Sequence, residues 1–207
     1  MTSIMVNQWS FPMQQAHFVP VPVEKAYRLL NLGATSLVAS EADGETDVMP
    51  ATWICPLDVV PFKATAVIDH THFTRRLIEK SGYFALMIPA AGIVDQVMKL
   101  GWVSKNDDPK KVEKSGAELF FAEGSKIPLV KGCVAWAIFR VIPEAHNEKT
   151  YDLFIGECVG AWADDRVFKN GHWLLGDAPR DLRPLHYSAG GHWFLTGEAL
   201  TLKEYGD

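Results

Sequence analysis

The chain has 207 residues, 48% apolar and 22% charged, and its 20 Lys/Arg against 25 Asp/Glu leave a net charge of −5. These proportions fit a single domain over 1–207 and exclude a disordered chain, which carries less apolar content and more net charge. The mild acidity and scattered basic residues argue against nucleic acid, and no stretch approaches the roughly 20 apolar residues of a membrane span.

Taken in chain order, Met1 to Val23 bears Pro and aromatics without a period and reads as an N-terminal arm. Glu24 to Asn31 suits a short helix. Ala34 to Ala39 is a short apolar strand, and Asp43-Gly44 supplies a hairpin turn. Val48 to Cys55 is the returning strand, which Pro56 is expected to close. Phe62 to Ile68 is the next strand. The spacing of Phe73, Leu77 and Ile78 predicts a helix over Thr71 to Ser81, with Thr71 as N-cap and Gly82 at C′. Tyr83 to Ile88 reads as a buried strand and Gly92 to Leu100 as a second helix. Residues 104–116 are a polar loop with a helical turn. Two long β-rich runs, Leu129 to Ile142 and Tyr151 to Ala163, follow, joined by a hairpin-like connector over 143–148. Gly171 to Leu175 and Gly191 to Leu195 echo each other, but no longer period accompanies them. Strands outnumber helices, so the expected class is mainly β with inserted helices. A closed antiparallel barrel removes the sheet edges most economically.

The three cysteines (Cys55, Cys133 and Cys158) are widely spaced within apolar runs, and read as buried thiols in a reducing cytosol. With no signal peptide pattern at Met1 to Ser10, a cytoplasmic protein is expected. No P-loop, G-x-G-x-x-G or G-x-S-x-G pattern is present. His70 and His72 share a strand face and could ligate a metal, but a strand-to-helix junction is polar in any case, so no metal is expected. Seven Trp and 11 Phe provide flat aromatic surface that needs a core, an interface or a ligand. The chain is small for an enzyme holding two large cofactors within one subunit.

The run from Leu37 to Pro89 carries Asp47-Val48-Met49-Pro50-Ala51-Thr52-Trp53, then Thr74-Arg75-Arg76, then Ser81-Gly82-Tyr83-Phe84. Gly101 to Lys111, Leu153-Phe154-Ile155-Gly156-Glu157 and Arg183-Pro184-Leu185 with Gly190-Gly191 follow in order. This series resembles the flavin reductase-like family, in its flavoredoxin branch, over roughly 25–197. The resemblance implies an FMN-binding split β-barrel, Greek-key-like and antiparallel, working as a homodimer with flavin near the interface. It implies FMN as cofactor, NADH or NADPH as transient reductant, and a separate electron acceptor. A shared pocket would resolve the size limit.

Carried over by position, the phosphate site falls on Thr74, with Thr71 and His72 beside it and Arg75 or Arg76 adding charge. A helix N-terminus suits phosphate independently of the resemblance. The plainer alternatives are an N-cap for Thr71 and solvated surface for the arginines. The ring site falls on Met49, Ala51, Thr52 and Trp53, with Trp53 equally suited to a core. A family lysine falls on Lys110 or Lys111. His186, Tyr187 and Phe194 are candidates for closing the pocket. No proton-transfer residue is assigned. Pro50 replaces the family's usual Thr, and Tyr151 stands where many members carry His. These departures leave room for a flavin-binding protein without turnover, of a storage or sensing kind. A third alternative is a barrel that binds another aromatic ligand.

Overall fold

The computed structural model describes residues 21–188 and 190–200. Most of the expected N-terminal arm lies outside the described residues. The helices are α1 (Tyr27–Leu30), α2 (Phe73–Ser81), α3 (Val94–Trp102), α4 (Lys111–Ser115) and α5 (Ala145–Thr150). The first strands are β1 (Gly33–Ala34), β2 (Ser36–Ala42), β3 (Glu45–Ala51), β4 (Ile54–Val59), β5 (Phe62–Val67) and β6 (Tyr83–Pro89). Then come β7 (Leu119–Phe121), β8 (Pro128–Val130), β9 (Cys133–Ile142), β10 (Leu153–Ala163), β11 (Phe168–Lys169), β12 (His172–Trp173), β13 (Leu185–Tyr187) and β14 (Trp193–Leu195).

The main sheet has seven antiparallel strands in the order β3-β2-β6-β9-β10-β5-β4. β2 and β3 pair from Ser36 with Ala51 to Ala42 with Glu45. Their turn holds Asp43 at φ 52° and Gly44 at φ 82°, the left-handed pair that a two-residue hairpin demands. The two outer strands, β3 and β4, are consecutive in sequence but share no ladder among the described residues. Only Thr52 and Trp53 separate them. The barrel is thus split at this corner instead of closed.

The expected strand from Val48 to Cys55 is divided here. Thr52-Trp53 turns the chain out of β3, and Pro56 lies inside β4 rather than ending a strand. A proline is tolerated there because β4 is an outer strand that can turn its missing N–H away from the sheet. The run from Leu129 to Ile142 is likewise broken, at Gly132 with φ 83°. The connector over 143–148 is not a plain hairpin turn; it contributes most of α5. Gly82 does end α2, at φ 71°.

Apolar side chains are buried on both faces of the sheet, as the near-continuous apolar runs of β2 and β6 require. On one face Val38, Phe84, Phe139 and Phe154 pack with Ile78 of α2. On the other Leu37, Ala85 and Met87 pack with Val97 and Leu100 of α3. Phe84 and Phe139 stack with centroids 5.3 Å apart. A Cβ at Gly156 would lie 2.6 Å from Phe84 and 2.8 Å from Phe139, so the glycine of Leu-Phe-Ile-Gly-Glu is a packing requirement. Cys133 is buried, and burial pushes its thiol far above the ordinary value. Cys158 is half-buried and Cys55 exposed, so the expectation of three buried thiols fails at Cys55, which sits on the outer strand β4.

Candidate functional site

β3 offers a free edge, a row of backbone groups that pair with no neighbouring strand among the described residues. α2 begins beside one end of that edge, and α3 and α4 lie beyond it. A cavity of about 200 Å³ sits between them, lined by Asp47, Met49, His72, Phe73, Thr74 and Lys111, among others.

At its base Asp47 is 1% exposed, Thr74 0% and Lys111 5%. The Thr74 hydroxyl donates to Asp47 Oδ2 at 2.7 Å, and Lys111 Nζ lies 3.0 Å from Asp47 Oδ1. The threonine expected to meet phosphate therefore donates to a buried carboxylate of β3. Lys111, rather than Lys110, is the inward lysine. Lys110 is exposed, and its backbone N–H donates to Asp108 at 3.0 Å.

Thr71 is not the N-cap of α2. His72 holds that position, with no side-chain capping bond. The Thr71 hydroxyl donates to Asp69 at 2.6 Å and its N–H at 2.8 Å, which holds the Asp69 carboxyl below its ordinary range. Among the described residues the first N–H groups of α2 thus receive no side-chain cap, and His72 Nδ1 is buried without a partner.

The two arginines diverge because neighbours on a helix point about 100° apart. Arg75 is buried and turned away from the helix start. It donates to Glu79 at 2.8 Å, Ile68 O at 3.0 Å, Glu148 O at 2.7 Å and Asp152, over the Phe154 ring. Its guanidinium joins α2 to β10 and α5 and has no reach to the cavity. Arg76 is exposed, with its guanidinium 4.5 Å from the centre of the Phe73 ring. Lys105 lies 4.8 Å from the same ring and donates to Thr46 O on the β3 edge at 2.6 Å. Asn106 joins the group, accepting from Arg76 at 2.5 Å and donating to Thr71 O at 2.8 Å. Lys105 and Asn106 were not singled out from sequence. Their only signal was membership of a polar loop.

Asp69, His70 and Asp152 bring potential metal-ligand atoms within 4.8 Å of one another. The Arg75 guanidinium already neutralises Asp152, so this cluster offers a cation little net charge.

At the other end of the edge, Met49 is buried, Ala51 and Thr52 are half-buried, and Trp53 is 51% exposed. The Thr52 hydroxyl donates to Asn31 Oδ1 at 2.5 Å, and Trp53 meets Tyr27 edge-on. Trp53 is thus a surface side chain at the split, not a core one. The Pro50 ring fits against Gly101 of α3, where a Cβ would come within 2.7 Å of its Cγ. As a proline on an outer strand, Pro50 removes one donor from the free edge and none from the ladder. Two larger cavities meet this corner, both reaching Thr52. One, of about 450 Å³, lies under Trp102 and Tyr187. The other, of about 940 Å³, opens along the apolar interior beside Phe62, Ala137 and Trp162. Of the C-terminal candidates, Tyr187 lines the first, while His186 is half-buried opposite the exposed Phe194 in the β13–β14 pair.

Residues 32–192 match the family described as flavin reductase like domain. The chain belongs to the flavin reductase-like family. The uncharacterized protein YddH of Escherichia coli K12 is 33% identical over 189 residues, 90% of this chain and 98% of that protein. An FMN-binding domain of a flavin reductases-like enzyme from Shewanella baltica OS155 superposes with a TM-score of 0.81 at 44% identity, over 88% of this chain and 96% of that one. A flavoredoxin from Methanosarcina acetivorans gives a TM-score of 0.70 at 19% identity, over 84% and 89%. The last likeness is one of fold. As in this family, the architecture is a split barrel, which agrees with the fold class expected from sequence.

Proposed function

We propose that the chain binds FMN along the free edge of β3 and acts as an FMN-dependent oxidoreductase of the flavin reductase or flavoredoxin type. NADH or NADPH is the transient reductant in this reading, and a second compound accepts the electrons. The observation that carries it is the uncapped start of α2, flanked by Arg76 and Lys105, at one end of an unpaired strand edge. Free N–H groups, the positive end of the helix dipole and two cations suit a phosphate dianion. The donors along β3 and the flat apolar corner at Trp53 suit a planar heterocycle. The buried carboxylate of Asp47 does not oppose this fit, because Lys111 neutralises it.

When bound, FMN supplies a ring that accepts hydride and passes electrons on. The protein's own part is geometric and electrostatic. Arg76, Lys105 and His72 hold the phosphate end. Met49, Ala51 and Thr52 line the ring along β3 and the corner that follows it. Trp53 shields the ring from water at the split. Thr74 and Lys111 act through Asp47, fixing β3 against α2 and α4.

The proposal includes a homodimer closing over the split. It is supported by the apolar side chains exposed from the corner along β4 to its far end and on β10: Trp53, Leu57, Val59, Val60 and Trp162. Val59 and Val60 are 83% and 85% exposed, a pattern more typical of an interface than of a solvated edge. A second reading, flavin binding without turnover, is favoured by Pro50 and by Tyr151. Pro50 takes a donor from the ring edge, and Tyr151, in place of the family's His, is 60% exposed against His146.

The phosphate assignment is tested by comparing FMN with riboflavin. The Arg76→Ala/Lys105→Ala variant is expected to lose about tenfold or more in FMN affinity, since two charge-assisted contacts are removed. Its riboflavin affinity should stay unchanged. Equal losses for both ligands would show that these cations do not meet the phosphate.

A further inference from the structure

Two consecutive residues of the loop after α3 tie β3 to the entry of α2. Lys105 Nζ donates to Thr46 O of β3 at 2.6 Å, and Asn106 Nδ2 donates to Thr71 O, just before α2, at 2.8 Å. Ser104 Oγ holds the turn of the loop by accepting the Asn106 N–H at 3.1 Å. The bridge meets β3 at Thr46, one residue past Asp47 and at the end away from the Thr52 corner. A flavin laid along β3 with its phosphate at the start of α2 reaches this bridge immediately beyond the phosphate. A molecule that ends in a phosphate monoester stops short of it. One that continues through a pyrophosphate into an adenosine has to pass through it, at the cost of both hydrogen bonds.

Charge points the same way. Among the described residues Arg76 hydrogen-bonds the Asn106 amide and Lys105 the Thr46 carbonyl, and neither cation has a carboxylate partner. Both lie against the Phe73 ring at the start of α2. A terminal phosphate carries about −1.5 to −2 near neutral pH, whereas a phosphate esterified on both sides carries a single charge. Two unpaired cations and a helix start match the terminal form better. We infer that this bridge makes the chain selective for a flavin ending in a phosphate monoester over the dinucleotide FAD, with Lys105 and Asn106 as the residues that set the preference. Discrimination then comes from obstructing the longer ligand as well as from contacts to the shorter one. The inference rests on the flavin site proposed above.

Fluorescence titration of the full chain with FMN, FAD and riboflavin tests the inference. FMN should bind about tenfold or more tighter than FAD, since FAD has to break two hydrogen bonds. Asn106→Ala removes the bond to Thr71 and frees the loop on that side. Asn106 is exposed, so its truncation leaves the fold intact. In this variant FAD affinity should rise about three- to tenfold, the worth of one hydrogen bond, with riboflavin affinity unchanged. FAD binding as tightly as FMN to the wild type, with both tighter than riboflavin, overturns the inference and leaves the flavin site standing. An Asn106→Ala variant that keeps the wild-type FAD affinity does the same. Riboflavin binding as tightly as FMN overturns the phosphate assignment and this inference with it. Absence of binding by all three overturns the flavin reading as a whole.

Discussion

Lys111→Met is expected to lower the unfolding free energy by about 3–5 kcal/mol, the cost of leaving a buried charge unpaired. Asp47 is 1% exposed, and its only cationic partner among the described residues is Lys111 Nζ at 3.0 Å. The Thr74 hydroxyl stabilises the other carboxylate oxygen but cannot balance its charge. Adding Asp47→Asn should recover most of the loss. Asparagine keeps an acceptor for Thr74 and removes the unbalanced charge. Urea unfolding of the wild type, Lys111→Met and the double variant measures the three values. A loss under 1 kcal/mol for Lys111→Met, on the order of an exposed pair, would show that water reaches Asp47.

Arg75→Met is expected to cost about 2–3 kcal/mol while leaving the FMN affinity of the folded protein unchanged. Its guanidinium satisfies two backbone carbonyls and two carboxylates across α2, α5 and β10. Hydrogen bonds to charged groups contribute about 1.5–3 kcal/mol each. Glu79 is 47% exposed and Asp152 28%, so solvent recovers part of what is lost. Arg75→Lys should rescue little, because an ammonium cannot reproduce the planar fork that reaches four acceptors. Denaturant unfolding gives the stability, and an FMN titration of the folded variant separates the roles. A selective fall in FMN affinity with unchanged stability would return Arg75 to the phosphate site.

The contrast between Arg75 and Arg76 shows where the sequence was legible and where it was not. The helix carrying them was legible, because the spacing of Phe73, Leu77 and Ile78 marks an apolar stripe and Gly82 ends it. The division of labour between adjacent arginines depends on what packs against each face of the helix. That is decided by β10 and α5, far away in sequence. Thr71 fits an N-cap by residue type, but Asp69, two residues earlier, takes its hydroxyl and N–H. The hairpin at Asp43-Gly44 was legible because its turn has few alternatives in φ. The corner at Thr52-Trp53 was not, because the apolar run passes straight through it. Pro56 and Cys55 misled for one shared reason: being on an outer strand is a property of topology, invisible in a local window. The family resemblance pointed to the segment where the site is proposed but could not choose between Lys110 and Lys111. The inward turn of α4 does that.

The central claim is that the β3 edge and the start of α2 hold an FMN that NAD(P)H can reduce. The most direct measurement is an anaerobic absorbance spectrum of the protein after loading with FMN and gel filtration, recorded before and after adding NADH or NADPH. Flavin absorbance should co-elute with the protein and bleach with one of the two nucleotides. A protein that emerges without flavin absorbance after loading would contradict the account.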